Sequence, residues 1–382
     1  MDQQPEEREL LMFLLGEPGN LDKYVVCPSF QVEQQQSLAV QLPAALPSLK
    51  DAYIACAITL KQLQSDAGGA GVDTSLSFHY ISKAMSTLRS LPVLLSQDTV
   101  VCHTLGSALA FAIFSAIGVG VPDICRYCLG ATSSLLNTQA SGTQNDPWES
   151  FLILLDTMDC FFHRLNPIRR VRVPSGFVVD RHLGLCLPLM PLYHDLCVIS
   201  NSLVDVNDMV ALGRLQTQLE EIYAVVDSWQ PTCSAQLIEQ FDAAEIVNLL
   251  AQAKVYRLAA LLMCHRLRYP FGQEDVQADL WSKEVMMELD LAKRVTNQPM
   301  RFVTLPFIIA AVEVRGETPR SNTLQSVDDC VDKYAPFMQK ATQTFLLRVW
   351  HERDLNLTSR WFDSVHKPCP VLNAISQTCF GG

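Results

Sequence analysis

Residues 305–313 read LPFIIAAVE, a run with hardly a polar side chain until the closing acid, Glu313. Pro306 suits the first turn of a helix, where its missing N–H costs nothing. Phe307, Ile308, Ile309, Ala310 and Ala311 then form a helix that is apolar round its whole circumference, so it has to be buried on most sides. Such a helix needs a domain large enough to wrap it, and 382 residues can bury a core of that size. Downstream, Leu346, Val349 and Trp350 recur at helical spacing, and Glu352, Arg353 and Asp354 are expected as exposed charges after them. Trp361 and Phe362 follow about two turns later. Nothing between Arg301 and Phe362 has the pattern of catalytic chemistry.

The rest of the chain reads as helix after helix. A short helix over Glu6–Leu15 is closed by Gly16, and residues 18–47, with Pro28, Pro43 and Pro47, are expected as an irregular arm. Ser48 is expected to cap a helix carrying Leu49, Ala52, Tyr53, Cys56, Leu60 and Leu63 at three-and-four spacing. Helices are predicted over 76–91, near 100–117, over 122–138 and 148–163, and near 185–202, 206–228, 236–268 and 276–295. Only VRVPSGFVVD, 171–180, alternates as a strand would, and only briefly. The expected fold is therefore all-α, antiparallel helices packed into one domain over 48–366, flanked by the segment 1–47 and a tail over 367–382.

Charge narrows the function. With 29 basic against 40 acidic residues the net charge is -11, which argues against a dominant phosphate-binding surface. The thirteen cysteines are scattered without regular spacing, as expected for reduced, mostly buried thiols of an intracellular protein. The acidic start, MDQQPEEREL, lacks the basic beginning of a signal peptide or mitochondrial leader. Leu105–Val121 is uncharged and long enough to span a bilayer, but its Gly, Ala and Ser content favours a buried helix of a large α domain.

Three blocks carry a resemblance. The run Leu305-Pro306-Phe307-Ile308-Ile309-Ala310-Ala311-Val312-Glu313, with Trp350, Arg353, Asp354 and Trp361 after it, resembles the C-terminal part of the fungal-specific transcription factor domain. That domain is the all-helical regulatory region of many zinc-cluster regulators. The segment 253–271 is similar to its long central helix at Tyr256, Arg257, Ala259, Ala260, His265 and Arg266. SFHYISKAMSTLR, 77–89, is similar to an early helix of the same domain. Ala311 and Val312 stand where the family usually has Gly and often has Cys. Together the blocks cover about residues 48–366 in order. The resemblance implies a regulator of transcription working in the nucleus. Since these residues contain no six-cysteine run with C-x2-C-x6-C spacing, the expectation is a regulator without its own zinc-cluster module. It would reach DNA only weakly or through partners, zinc-cluster proteins among them, in a role that extends to secondary-metabolite gene clusters. Some relatives sense sterols, so a small apolar ligand belongs to the same expectation.

Sharper chemistry was weighed residue by residue. Asp328, Asp329 and Asp332 have the DDxxD form that holds magnesium-diphosphate in all-α terpene synthases. A second downstream metal motif is lacking, and acids at a helix start are the ordinary reading. Cys125 and Cys128 form C-x2-C without a second pair, so Cys128 is expected in the core rather than on zinc. His194 and Cys197 lie one turn apart, and His265 sits on an apolar stripe; the expectation for each is a satisfied histidine. Arg164, Arg169, Arg170 and Arg172 form the one basic cluster, expected as a solvated loop, with nuclear import or phosphate contact as the alternative. No G-x-S-x-G, phosphate loop or H-E-x-x-H is present. No catalytic, metal or cofactor residue is expected, and no membrane partner; an all-α metal enzyme built on Asp328, Asp329 and Asp332 is the competing class.

Overall fold

The computed structural model describes residues 5–16, 19–20, 25–66, 74–91, 96–116, 120–138, 147–174, 176, 178–204 and 208–366. The expected all-α class is what is found. In order, the helices are α1 (Pro5–Gly16), α2 (Ser29–Asp66), α3 (Thr74–Ser90), α4 (Ser96–Ala116), α5 (Val121–Thr138), α6 (Pro147–His163), α7 (Met190–Ser202), α8 (Met209–Ser228) and α9 (Ala235–Gln240). Then come α10 (Ala243–Arg268), α11 (Asp275–Thr296), α12 (Thr304–Ala311), α13 (Glu317–Gln325), α14 (Val327–Cys330) and α15 (Pro336–Asp354). Single 3-10 turns occupy Leu187–Leu189 and Trp361–His366. No strand occurs among the described residues. The alternating segment 171–180 yields one isolated bridge, Asp180 with Gly184, among its described residues.

The chain divides into two compact units. The first comprises Met1–Asp156, Ile168–Gly184 and Tyr334–Phe337. Here α2 is the central rod, with α1, α3 and α4 packed on it and α5 on α4. The expected irregular arm over 18–47 is corrected in part: from Ser29 onward it is helical and continuous with the helix predicted to start at Ser48. Proline inside a helix removes a hydrogen bond and crowds the preceding turn. The helix nevertheless passes through Pro43 and Pro47, because its buried positions, Gln34, Leu38, Leu49, Ala52, Tyr53 and Cys56, keep helical spacing on both sides of them. Burial outweighs local propensity here. The start of α2 is held by Arg181, which donates to Gln34 at 2.7 Å and Glu33 at 2.6 Å. Between α4 and α5, Gly106 faces the Cys128 side chain. A Cβ there would overlap the Cys128 thiol, which would have to shift to admit it.

The second unit comprises Thr157–Pro167, Leu185–Lys333 and Met338–Gly382. Its axis is α10, against which α7, α8, α11 and α12 pack. The single helix predicted over 236–268 is broken at Phe241, and Asp242 restarts it as α10. The Asp242 side chain accepts from the Glu245 N–H at 2.8 Å, and the Glu245 carboxylate accepts from the Asp242 N–H at 3.1 Å. This reciprocal cap satisfies two donors that a helix start leaves open. The apolar helix α12 is buried on every side, as its composition demands: residues 305–311 are all buried. Two helices, Asp98–Ala116 and Ala243–Arg268, are long and apolar enough to cross a membrane, and most of each is buried.

Candidate functional site

The last turn of α10 carries His265, Arg266 and Arg268, cations well placed at a helix C-terminus. Arg266 is fully buried, and a buried guanidinium has to find partners for its fork of donors. Its Nε and Nη2 donate in parallel to the two oxygens of Glu313, at 2.8 and 2.7 Å. Nη2 also donates to Asp275 at 2.8 Å, and Nη1 to the carbonyls of Pro270 at 3.1 Å and Gln273 at 3.3 Å. Glu313, the acid that closes the apolar run, is itself only 2% exposed. Burial works against the charge of Arg266, yet the bonds from Glu313 and Asp275 more than restore it and hold its pKa above the ordinary value.

The carbonyls at and beyond the end of α12 are met from α15. Trp350 Nε1 donates to Ala311 O at 3.0 Å. The guanidinium of Arg353 donates to Val312 O at 2.7 Å and Val314 O at 2.6 Å. Trp350 and Arg353 stand one turn apart, and that spacing lets one helix cap the other. Glu352 and Arg353, expected as exposed charges, are in fact buried, whereas Asp354 is exposed. Arg353 is drawn in because open helix carbonyls at a buried end need strong donors, whereas Glu352 accepts from Arg348 Nε one turn earlier, at 3.0 Å. Phe271 lies between two guanidinia, with Arg266 5.0 Å and Arg353 5.4 Å from its ring centre. Arg320 lies 5.3 Å from the Trp350 ring and binds both oxygens of Asp354, at 2.5 and 2.7 Å.

Beside this network lies a cleft of about 390 Å³ lined by Phe271, Asp275, Arg315, Arg320, Arg353 and Asp354 among others. Burial raises the Asp275 pKa, but the bonds from Arg315 and Arg266 outweigh it and hold the carboxyl below its usual range. The bidentate bond from Arg320 does the same for Asp354. Burial pushes Arg353 down to about 10, still charged at neutral pH. Carboxylates pinned in their ionised form suit recognition and structural support, not proton transfer near neutrality.

The other candidates fall elsewhere. Asp328 is exposed, and Asp329 is held at 2.6 Å by Lys293 on the surface of α11. Asp332 is half-buried, and the three carboxylates do not converge on an interior pocket. No cluster of three or more His, Cys, Asp or Glu that would hold a metal occurs among the described residues. Cys125 and Cys128 are both buried, and the Cys128 thiol is driven far above its ordinary pKa, first by its hydrogen bond with Cys102 and then by burial. His194 pairs with Asp195 at 3.1 Å, whereas Cys197 points to the Thr157 carbonyl, so the two do not share a site. His265 bonds the Glu274 carbonyl at 3.0 Å.

The arginine cluster is only in part the solvated loop expected of it. In the second unit Arg164 donates to Ser200 O and Asp363 and stacks 4.6 Å from the Phe362 ring. In the first unit Arg169 binds Glu149, Leu129 O, Thr132 and Ser133. Arg170 and Arg172 are exposed.

Sequence reasoning missed a buried Ser150, Asp180 and His182 group in the first unit. Ser150 Oγ donates to Asp180 at 3.0 Å and meets His182 Nδ1 at 3.1 Å. The same Asp180 oxygen accepts the His182 and Leu183 N–H groups at 2.9 and 2.8 Å. A hydrolytic relay places the histidine between the serine and the acid. Here the serine is in the middle, and the acid serves the turn. It missed the Arg266–Glu313 pair as well. The signal was available: an acid ending a wholly apolar helix must be paired, and the guanidinium at the end of α10 is one of few that an apolar helix delivers to the interior.

Arg266, Glu313, Trp350 and Arg353, which carry the sequence resemblance, thus converge on one buried network. Searches of curated proteins and of solved structures return no match. The profile of the fungal specific transcription factor domain matches residues 74–373, well over half of the 382 residues and the whole of this network. The chain belongs to the fungal specific transcription factor domain family.

Proposed function

We infer from membership of this family a role in regulating transcription. We propose that the protein is a nuclear regulator that works through protein partners, with a zinc-cluster protein supplying the contact to DNA. The observation that carries this reading is charge. The net charge is -11, and Arg164 and Arg169 of the one basic cluster are spent on internal carboxylates and carbonyls. A chain that neutralises few phosphates gains little affinity from duplex DNA. Tethering to a second protein supplies that affinity through effective concentration. Control of a secondary-metabolite gene cluster is the biological setting that accords with the family. The cleft at Arg353 is lined by charged groups and does not favour the apolar ligand considered from sequence.

Crosslinked chromatin provides the test. The protein is expected at defined promoters while zinc-cluster proteins are present, and lost from them when the relevant one is deleted. The purified chain is expected to bind DNA weakly and without sequence preference. A specific nanomolar footprint from this chain alone, or promoter occupancy that survives loss of every such partner, overturns the proposal.

A further inference from the structure

Helix α11 has two apolar faces. One carries Trp281, Val285, Leu289 and Ala292 and is buried. On the other, Val276, Leu280, Met287, Leu291 and Val295 are 86, 55, 58, 51 and 62% exposed. At 3.6 residues per turn these five fall within an arc of about 100°, with Glu284 inside it between Leu280 and Met287 and Arg294 at its edge. Single exposed apolar residues need no explanation, but five on one face of one helix mark a surface that another molecule covers.

The charges beside the stripe say what that molecule is. Along one flank stand Asp279, Lys283, Asp290 and Arg294, alternating in sign. Within the chain they form two pairs one turn apart, Lys283 with Asp279 at 2.6 Å and Arg294 with Asp290 at 2.7 Å. Positions 279 and 294, and positions 283 and 290, are equidistant from a point between residues 286 and 287. Two copies of α11 laid antiparallel about a two-fold axis at that point bring Asp279 opposite the other copy's Arg294, and Lys283 opposite its Asp290. The apolar stripe is centred within about one residue of the same point. On the other flank Glu288 is already neutralised by Lys254 at 2.7 Å, so Glu284 approaches an ion pair and not a bare carboxylate. A surface that is self-complementary under a two-fold rotation is what a symmetric dimer requires.

We propose that the protein forms a homodimer through antiparallel pairing of α11, with the stripe as its apolar seam and the alternating flank setting its register. The proposal stands apart from the reading of function above, and its failure leaves that reading untouched.

Sedimentation equilibrium on the full chain tests it. At micromolar concentration the expected mass is twice the 42.6 kDa of one chain. The double variant Leu280→Glu/Met287→Glu, checked for unchanged helix content by circular dichroism, is expected to be monomeric. Lys283→Asp removes two cross-pairs and is expected to weaken association by roughly tenfold. Adding Asp290→Lys restores opposite signs across the axis, although it leaves like charges one turn apart within the helix, and is expected to recover the dimer. Geometry provides a second readout. Position 287 meets its own copy at the axis, whereas the two copies of position 276 lie on the order of 30 Å apart. A short bismaleimide should crosslink Met287→Cys into a dimer and leave Val276→Cys at the background of the exposed Cys233. A single-chain mass for the native protein, an undiminished dimer in Leu280→Glu/Met287→Glu, or equal crosslinking at both positions overturns the proposal.

Discussion

Glu313 and Arg266 show what one buried charge demands. Both side chains are all but sealed from solvent, at 2% and 1% exposure. Truncating one partner of such a pair leaves the other charged and unpaired, at a cost of about 3–5 kcal/mol. Glu313→Ala is therefore expected to lower the urea midpoint sharply, and Glu313→Leu combined with Arg266→Met to recover most of the loss. Trp350 separates packing from hydrogen bonding. Trp350→Phe keeps a ring but removes the indole donor and leaves Ala311 O with the Val314 N–H alone, an expected loss of about 0.5–1.5 kcal/mol. Trp350→Ala adds a cavity and should cost about 3–5 kcal/mol. A Trp350→Phe variant as stable as the native protein would show that the indole N–H contributes nothing. Sequence alone showed that Trp350 packs and that Glu313 closes an apolar helix. It did not show that Arg353 is buried, because what draws it in is a set of open carbonyls at the end of a different helix. Arg353 and Val312 are separated by 41 positions.

Elements were read well where periodicity was long and strong, and poorly where a cap or a tertiary contact decided the boundary. The break between α9 and α10 was written in the sequence as Asp242 and Glu245, an acid pair at capping-box spacing, but the apolar pattern runs through it unbroken. Asp242→Ala is expected to cost about 1 kcal/mol of stability and to expose the first amides of α10 to hydrogen exchange. Unchanged exchange there would mean that packing alone fixes the helix start. Helix α2 shows the opposite failure. Its prolines signalled a break, and a buried stripe from Gln34 to Cys56 overrode them. The candidate site suffered most. Its cleft is assembled from α11, α13, α15 and the turns beside them, and no local pattern in any one of these announces the others.

At the scale of the molecule, the response to pH follows from a few groups. Burial, and then the neighbouring Arg266, hold the His265 pKa below its ordinary value, so the folded protein keeps this ring neutral. The unfolded chain takes up that proton near about 6.5. Between the folded and unfolded values the unfolded state binds more protons, so stability falls as pH drops through about 6.5. His265→Gln keeps a donor for the Glu274 carbonyl and is expected to remove this first loss. Asp275 and Asp354 have lowered folded values, so their contributions are present above the unfolded carboxylate pKa and disappear as pH falls through the folded one. Denaturant midpoints from pH 8 to pH 3 should therefore decline in two stages, and only the upper one should vanish in His265→Gln. A decline identical in both proteins would show that His265 is not titrating differently in the folded state. The all-α class was legible over this whole length because strand alternation is nearly absent. The pairing of charges was not, since it depends on which helix ends meet.

Helix α12 is the most apolar of the helices, yet its closing donors arrive late. Trp350 and Arg353 follow the carbonyls they cap by 39 to 41 positions. A ribosome adding about 5–20 residues per second takes on the order of 2–8 seconds to cover that distance. Throughout that interval α12 can pack on α10 and α11, which precede it, but the carbonyls at its end lack their closing donors. Synthesis of this protein therefore contains a timed vulnerability. A pause with α12 already outside the ribosome and Arg353 still inside it would prolong it, and chaperone binding should concentrate on nascent chains halted at that length.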